Sequence, residues 1–198
     1  MEKRVETRTL VMAAVLTALT VLLQYMGSFV KLGPFSISLV LIPIVIGAAT
    51  CGVKIGAWLG FVFGAVVLLS GDAGAFLAVD VLGTIITVLA KGTLCGLLAG
   101  LAFKGIKKLT KNDYVAAIIS AVVCPVVNTG VFLIGCVIFF MDTITGWAAA
   151  AGLGAKVGQF MILGLVGINF IMCVFCFFSA SDSLFGYNLY IFANCIKD

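Results

Sequence analysis

The segment VLGTIITVLAKGTLCGLLAGLAF, from Val81 to Phe103, decides the class of this protein. It is almost wholly apolar and is long enough to cross a bilayer as a helix. Yet Lys91 lies near its middle, where a charged side chain costs on the order of 3 kcal/mol or more. Such a lysine is tolerated only where it faces the inside of a helix bundle, a water-filled cavity or an anionic partner.

Helical spacing gives this segment two distinct faces. Thr84, Thr87 and Lys91 fall on one face. The adjacent face carries a stripe of small residues four positions apart: Gly92, Gly96 and Gly100. Because such stripes let two membrane helices approach closely, the segment is predicted to have a packing face beside a polar edge that ends in a positive charge.

The composition of the whole chain indicates an integral membrane protein. Of 198 residues, 63% are hydrophobic and 10% are charged, which is more apolar than a soluble core requires. The apolar runs have the length of helices, which favours a helical bundle over a barrel. The net charge of +4 collects in short loops, as membrane topology demands, and gives no reason to expect a nucleic-acid partner.

The same composition argues against an enzyme. The chain has no histidine, which removes the commonest general base and the commonest metal ligand. Cys173 and Cys176 form a C-x-x-C pair, but they lie in an apolar run without a second pair, so a metal or redox role is disfavoured. No nucleotide-binding motif is present. We therefore expect no catalytic residue, no cofactor and no metal site.

The chain is predicted to be all-α, a single membrane-embedded domain over residues 1–198 with six transmembrane helices. The predicted spans are 9–26, 36–50, 55–70, 81–103, 114–141 and 157–180. Pro43 is expected to kink the second span or to divide it into a loop-like half and a helical half. Counting lysines and arginines in the loops places both the N and C termini in the cytoplasm.

Two further patterns of small residues predict close helix packing. The clearest stripe in the chain is formed by four glycines at a spacing of four: Gly52, Gly56, Gly60 and Gly64. In the first span, Ala14 and Ala18 make one face small and smooth. Both patterns indicate packing rather than chemistry.

The candidate substrate-binding residues are the polar side chains within or at the ends of the apolar spans. They are Lys91, Asn128, Thr129, Asn169, Gln24 and Thr87. Lys91 either anchors an anion such as a carboxylate, or pairs with an acid or extends to the membrane surface. Asn128 and Asn169 need hydrogen-bond partners once buried, and either a ligand or a neighbouring helix can supply them.

The order of several segments resembles the substrate-binding S component of energy-coupling factor (ECF) vitamin transporters. These segments are Ala14-x-x-x-Ala18, KLGPFSISLVLIPIVIGAATCGVKIGAWLGFVFG (Lys31 to Gly64), AKGTLCGLLAGLAFK (Ala90 to Lys104) and PVVNTGVF (Pro125 to Phe132). The resemblance covers about Thr9 to Phe178. The tail FCFFSASDSLFGYNLYIFANCIKD departs from the family pattern, because it breaks into polar turns.

The resemblance implies high-affinity uptake of a water-soluble vitamin across the bacterial plasma membrane. It implies a pocket in the outer half of the bundle, covered by outer loops. The Ala14 and Ala18 face would dock on a membrane coupling subunit, the T component, which is attached to two cytoplasmic ATPases. The whole S component would topple in the lipid bilayer to carry its ligand inward.

The identity of the substrate rests on Lys91 and on the resemblance. A lysine in the bundle favours a ligand with an acid group, and the segments around it look most like the pantothenate-type branch. Folate and riboflavin stay open as alternatives. Two other functions remain as well: a stand-alone secondary carrier for a small organic anion, and a membrane scaffold protein without a ligand.

Overall fold

The described part of the chain is helical apart from one short hairpin. The structure, a computed structural model, describes residues 7–29, 31–32, 35–36, 40–152, 154–167 and 171. Its helices are α1 (Thr7–Phe29), α2 (Leu41–Thr50), α3 (Val53–Leu69), α4 (Gly74–Leu77), α5 (Val81–Thr110), α6 (Asp113–Phe139), α7 (Met141–Ala150) and α8 (Val157–Gln159). Strands β1 (Lys31–Leu32) and β2 (Phe35–Ser36) pair antiparallel between α1 and α2. A 3₁₀ turn (Gly154–Lys156) precedes α8, and a π-helical stretch (Phe160–Gly167) follows it.

Three of the described helices are long and apolar enough to cross a membrane. They are Thr7–Ser28 within α1, Val81–Thr110 and Asp113–Phe139. Helices α2 and α3 are also apolar but contain 10 and 17 residues. The all-helical membrane class predicted from the sequence is therefore confirmed. The number of six spans and the orientation of the termini stay predictions.

The boundaries of the Lys91 helix follow from its caps. The Asp80 side chain accepts a hydrogen bond from the Leu82 amide at 3.1 Å and so begins α5. The helix continues beyond the predicted span, which ended at Phe103, as far as Thr110. Lys107 and Lys108 lie in its last turn, where positive charge stabilises the carboxyl end of the helix dipole. Lys111 then ends the helix with φ of 54°.

The second predicted span is shorter as a helix than the apolar run suggested. Helix α2 begins only at Leu41, and Ser36 instead belongs to β2. Pro43 lies in the first turn of α2, where a backbone amide has no partner within the helix and proline is tolerated. Pro43 therefore lies at the start of the helix and does not interrupt it.

The region between the fifth and sixth predicted spans contains a helix that neither span includes. Helix α6 ends at Phe139, and Met141–Ala150 forms the separate helix α7. Three consecutive alanines, the best helix formers, end α7. Only the first part of the predicted span 157–180 lies among the described residues. Asn169 and the cysteine pair lie outside them.

The glycine stripes of α3 and α5 pack directly against each other. A Cβ on Gly60 would overlap the backbone oxygen of Gly92, and one on Gly64 would lie 2.8 Å from the Val88 oxygen. The predicted close-packing role is therefore confirmed for both stripes except at Gly52, which precedes α3 and has nothing within 4 Å of its Cβ position. The contact brings the two helix backbones together with almost no side chain between them, which fixes the position of Lys91 relative to α3.

Candidate functional site

Lys91 points between helices, not along α5 toward the membrane surface. Its Nζ lies 5.1 Å from the ring centroid of Phe132 on α6 and 5.9 Å from that of Phe63 on α3. Phe63 is buried and Lys91 is partly buried. Each ring face attracts the ammonium by about 0.5–2 kcal/mol, which is less than the cost of removing the charge from water. An anion would therefore add favourably to the contacts of this ammonium.

Thr87 lies one helical turn before Lys91 and faces α6. Its side chain fills the space at Gly135, since a Cβ on that glycine would overlap the Thr87 hydroxyl and methyl groups. Thr87 is 5% exposed. Within the described part of the chain its Oγ1 has no hydrogen-bond partner. A buried hydroxyl of this kind usually has one, so Thr87 is open to a donor or acceptor from a ligand.

Asn128 lies on the face of α6 that packs on α5. Two contacts set the register of these helices: Ser120 Oγ donates to the Ala99 oxygen at 2.8 Å, and Gly135 packs on Thr87. Asn128 lies between Ser120 and Gly135 on α6, so it stands at the level of the segment that follows Lys91. It is 7% exposed, and among the described residues its Oδ1 has no hydrogen-bond partner.

Three of the predicted residues thus lie on the paired helices α5 and α6: Thr87, Lys91 and Asn128. The arrangement offers one cation and two buried oxygens that accept hydrogen bonds. A ligand that matches it carries an anionic group together with hydroxyl or amide donors. Among the described residues no group of three or more acidic, cysteine or histidine side chains could hold a metal ion.

Phe63 and Phe132 were not among the residues predicted from the sequence to contact a ligand. Phe132 lies four residues after Asn128, so helical spacing places both on one face of α6, and this signal could have identified it. Phe63 carried no such signal. Its contact with Lys91 depends on the register between α3 and α5.

An aromatic cluster adjoins the lysine on the α4 side. Phe76 of α4 is buried, and its ring packs edge-on against those of Phe132, Phe140 and Trp147, with centroid distances of 5.6, 5.0 and 5.5 Å. Edge-to-face pairs at such distances are favourable. Phe132 belongs both to this cluster and to the Lys91 contacts. The short segment around α4 is thus linked to the candidate site through a single ring.

Gln24 occupies a different position from the other candidates. It is buried on α1, and its Nε2 donates to Asp72 Oδ2 at 2.6 Å in the turn between α3 and α4. This amide donor is therefore engaged within the protein. The hydrogen bond between Gln24 and Asp72 thus connects α1 to the turn that precedes α4 and its Phe76.

Replacing Gln24 by leucine is expected to lower the free energy of unfolding by about 1–3 kcal/mol, because the buried bond to a carboxylate is lost. The melting temperature of the purified protein in detergent measures the effect. Ser28→Ala is the matched control, since Ser28 Oγ only donates to the Gln24 backbone oxygen of its own helix. Equal melting temperatures for Gln24→Leu and Ser28→Ala would contradict a stabilising role for the pair.

The remaining predicted residues stand apart from the lysine group or outside the described chain. Thr129 follows Asn128 but is rotated by about 100° around α6, and it is only partly buried. Asn169 lies outside the described residues. Ala14 and Ala18 are exposed on α1, on a face opposite to the buried Ala13, Leu16 and Thr20.

Comparison with known proteins gives one family. The model of the family described as ECF transporter, substrate-specific component, matches residues 8–181, which is most of the chain. No curated protein and no solved structure matched. The subunits of this family bind a small-molecule substrate for uptake, work with a T component and ATPases, and are not enzymes. With its apolar spanning helices and this match, the chain belongs to the substrate-specific components of ECF transporters.

Proposed function

We propose that this subunit binds a small water-soluble vitamin with one carboxylate, and that the vitamin is pantothenate. The observation that supports the proposal is the Lys91 ammonium between two rings. The buried oxygens of Thr87 and Asn128 lie on the same pair of helices, α5 and α6. Pantothenate carries one carboxylate, two hydroxyls and an amide, so it has an anion for the lysine and donors for both oxygens. A second carboxylate, as in folate, would need a second cation.

In the proposed complex, the ligand carboxylate takes a charge-assisted hydrogen bond from Lys91 Nζ. The ligand hydroxyl and amide groups donate to Thr87 Oγ1 and Asn128 Oδ1. The rings of Phe63 and Phe132 exclude water from the ion pair, which strengthens it. Thr129, Gln24 and Asn169 are kept as further candidate contacts, on the resemblance to the family and on their positions in the sequence.

Binding to the purified protein in detergent, followed by calorimetry, tests this function. The matched pair of ligands is pantothenate and pantothenol, in which the carboxylate is replaced by a primary alcohol. Pantothenate is expected to bind more tightly by roughly 30-fold or more, because the alcohol cannot form the ion pair with Lys91. Tight binding of a different vitamin, with none of pantothenate, would overturn the proposed substrate while leaving the family unchanged.

We propose further that the exposed Ala14 and Ala18 face of α1 docks on the T component. Small side chains let a partner helix approach closely without deep interlocking, which suits a contact that forms and breaks. The proposal places the protein in the bacterial plasma membrane with six spans, with both termini in the cytoplasm next to the ATPases. The short helices α2 and α3 would be completed as spans by adjoining segments.

Replacing both alanines by leucine is expected to abolish uptake into cells that express the whole transporter. Vitamin binding by the isolated subunit should change by less than about twofold, because substitutions on the surface have little effect on the fold. Radiolabelled uptake and calorimetry measure the two quantities. Ile134 is exposed on a different helix, α6, so Ile134→Ala serves as a control. Unchanged uptake in the double variant would refute docking through this face.

A further inference from the structure

A basic groove lies at the end of the bundle away from the Asp80 cap of α5. It encloses about 590 Å³ between the turn that joins α2 to α3 and the last turns of α5. Lys54, Lys104 and Lys107 line it, together with apolar residues that include Ala48, Val53 and Phe103. None of these residues belongs to the candidate vitamin site.

The three lysines differ in whether they form an ion pair. Lys107 Nζ lies 2.9 Å from Asp113 Oδ1, and both side chains are about half exposed. Among the described residues neither Lys54 nor Lys104 forms an ion pair, and both are exposed. The groove therefore has a cationic rim above an apolar floor. That combination matches an amphiphile with a negatively charged head better than a small polar anion.

The position of Trp58 indicates the level of the groove in the membrane. Trp58 is 52% exposed on α3, one turn beyond Lys54 and about 6 Å along the helix. Exposed tryptophans are enriched where the acyl chains of a bilayer meet its head groups. The lysine rim thus stands at head-group height, where lipid phosphates lie.

We propose that this groove binds the phosphate-bearing head group of an anionic phospholipid. The phosphate lies between Lys54 and Lys104, and an acyl chain covers the apolar floor formed by Ala48, Val53 and Phe103. Each lysine near a lipid surface contributes about 1 kcal/mol of attraction, or about fivefold in affinity. The occupant is a lipid of the surrounding leaflet, which needs no solvent-exposed route to reach the groove.

Quenching of Trp58 fluorescence by brominated lipids tests the proposal. The chain has two tryptophans, and Trp147→Phe leaves Trp58 as the reporter while keeping a ring in the aromatic cluster. The protein is reconstituted in phosphatidylcholine vesicles with a small fraction of brominated phosphatidylglycerol, or with the same fraction of brominated phosphatidylcholine. The anionic quencher is expected to have a relative association constant higher by about 5- to 20-fold.

Two double variants that remove the same charge distinguish lipid binding in the groove from general attraction to a basic surface. Lys54→Gln with Lys104→Gln is expected to make the two brominated lipids equally effective. Lys108→Gln with Lys111→Gln removes the same charge from the same end of α5 but leaves the groove lining intact. This second pair should keep most of the preference for the anionic lipid.

Three results would overturn the proposal. The first is equal quenching by both lipids in the parent protein, which would leave the groove to a protein partner. The second is loss of the preference in the Lys108 and Lys111 pair as well, which would reduce it to surface charge. The third is full reversal of the preference by inorganic phosphate at constant ionic strength, which would make the groove a site for a free anion.

Discussion

Replacing Lys91 by methionine is expected to weaken pantothenate binding by about 2–4 kcal/mol, or roughly 30- to 1,000-fold. Methionine keeps the length and the apolar stem of lysine, so it preserves the packing between Phe63 and Phe132 and removes only the charge. The loss therefore reports the ion pair between Nζ and the ligand carboxylate. Calorimetry of the purified variant measures it.

The alcohol analogue makes the prediction specific. Pantothenol has no carboxylate, so Lys91→Met should change its affinity by less than about fivefold, and the variant should bind the two ligands about equally. This double comparison separates a direct ion pair from a general disturbance of the site. Lys108→Met, on the exposed end of the same helix, should leave both affinities unchanged. Equal losses for both ligands in Lys91→Met would show that the lysine does not meet the carboxylate.

Replacing Gly60 by alanine is expected to destabilise the fold by about 3 kcal/mol or more. The added methyl group would overlap the backbone oxygen of Gly92. Because the obstacle is a backbone and not the flexible end of a side chain, α3 and α5 must move apart. The separation would also shift Phe63 away from Lys91, so ligand affinity should fall together with the melting temperature.

Gly105→Ala is the matched control for this substitution. Gly105 lies in α5 too, but a Cβ there would have no neighbour within 4 Å. In an open helical position alanine stabilises the helix by up to about 1 kcal/mol relative to glycine. The two variants should therefore shift the melting temperature in opposite directions. A Gly60→Ala protein as stable as the parent would mean that α3 and α5 are not in backbone contact.

Sequence patterns predicted the parts of the fold that depend on one helix at a time. The glycine stripes were visible from spacing, and their packing role is confirmed except at Gly52. Helix α5 extends beyond the predicted span, which ended at Phe103, because the lysine-rich segment that follows forms the positively charged last turns of the helix. Helix α7 was missed because its glycine and alanine content is shared by loops and by helices, and neighbouring contacts decide between them.

The same distinction between single-helix patterns and contacts between helices applies to the candidate site. Thr87 and Lys91 could be placed on one face of α5 from their spacing alone, and Asn128 could be recognised as a buried amide. Their meeting depends on the register between α5 and α6, which Ser120 and Gly135 set through contacts that no local pattern records. The ring of Phe63 depends likewise on the register between α3 and α5.

The glycine contact between α3 and α5 has a consequence for how a ligand enters. Side chains at an ordinary helix interface can change rotamers and so allow small displacements, whereas a contact made by backbone atoms has no such adjustment available. Helices α3 and α5 therefore move as one rigid unit, with Lys91 and Phe63 fixed relative to each other. Among the described helices, an opening that admits a ligand is therefore expected at the other wall, through displacement of α6 or of the α4 segment whose Phe76 rests on Phe132.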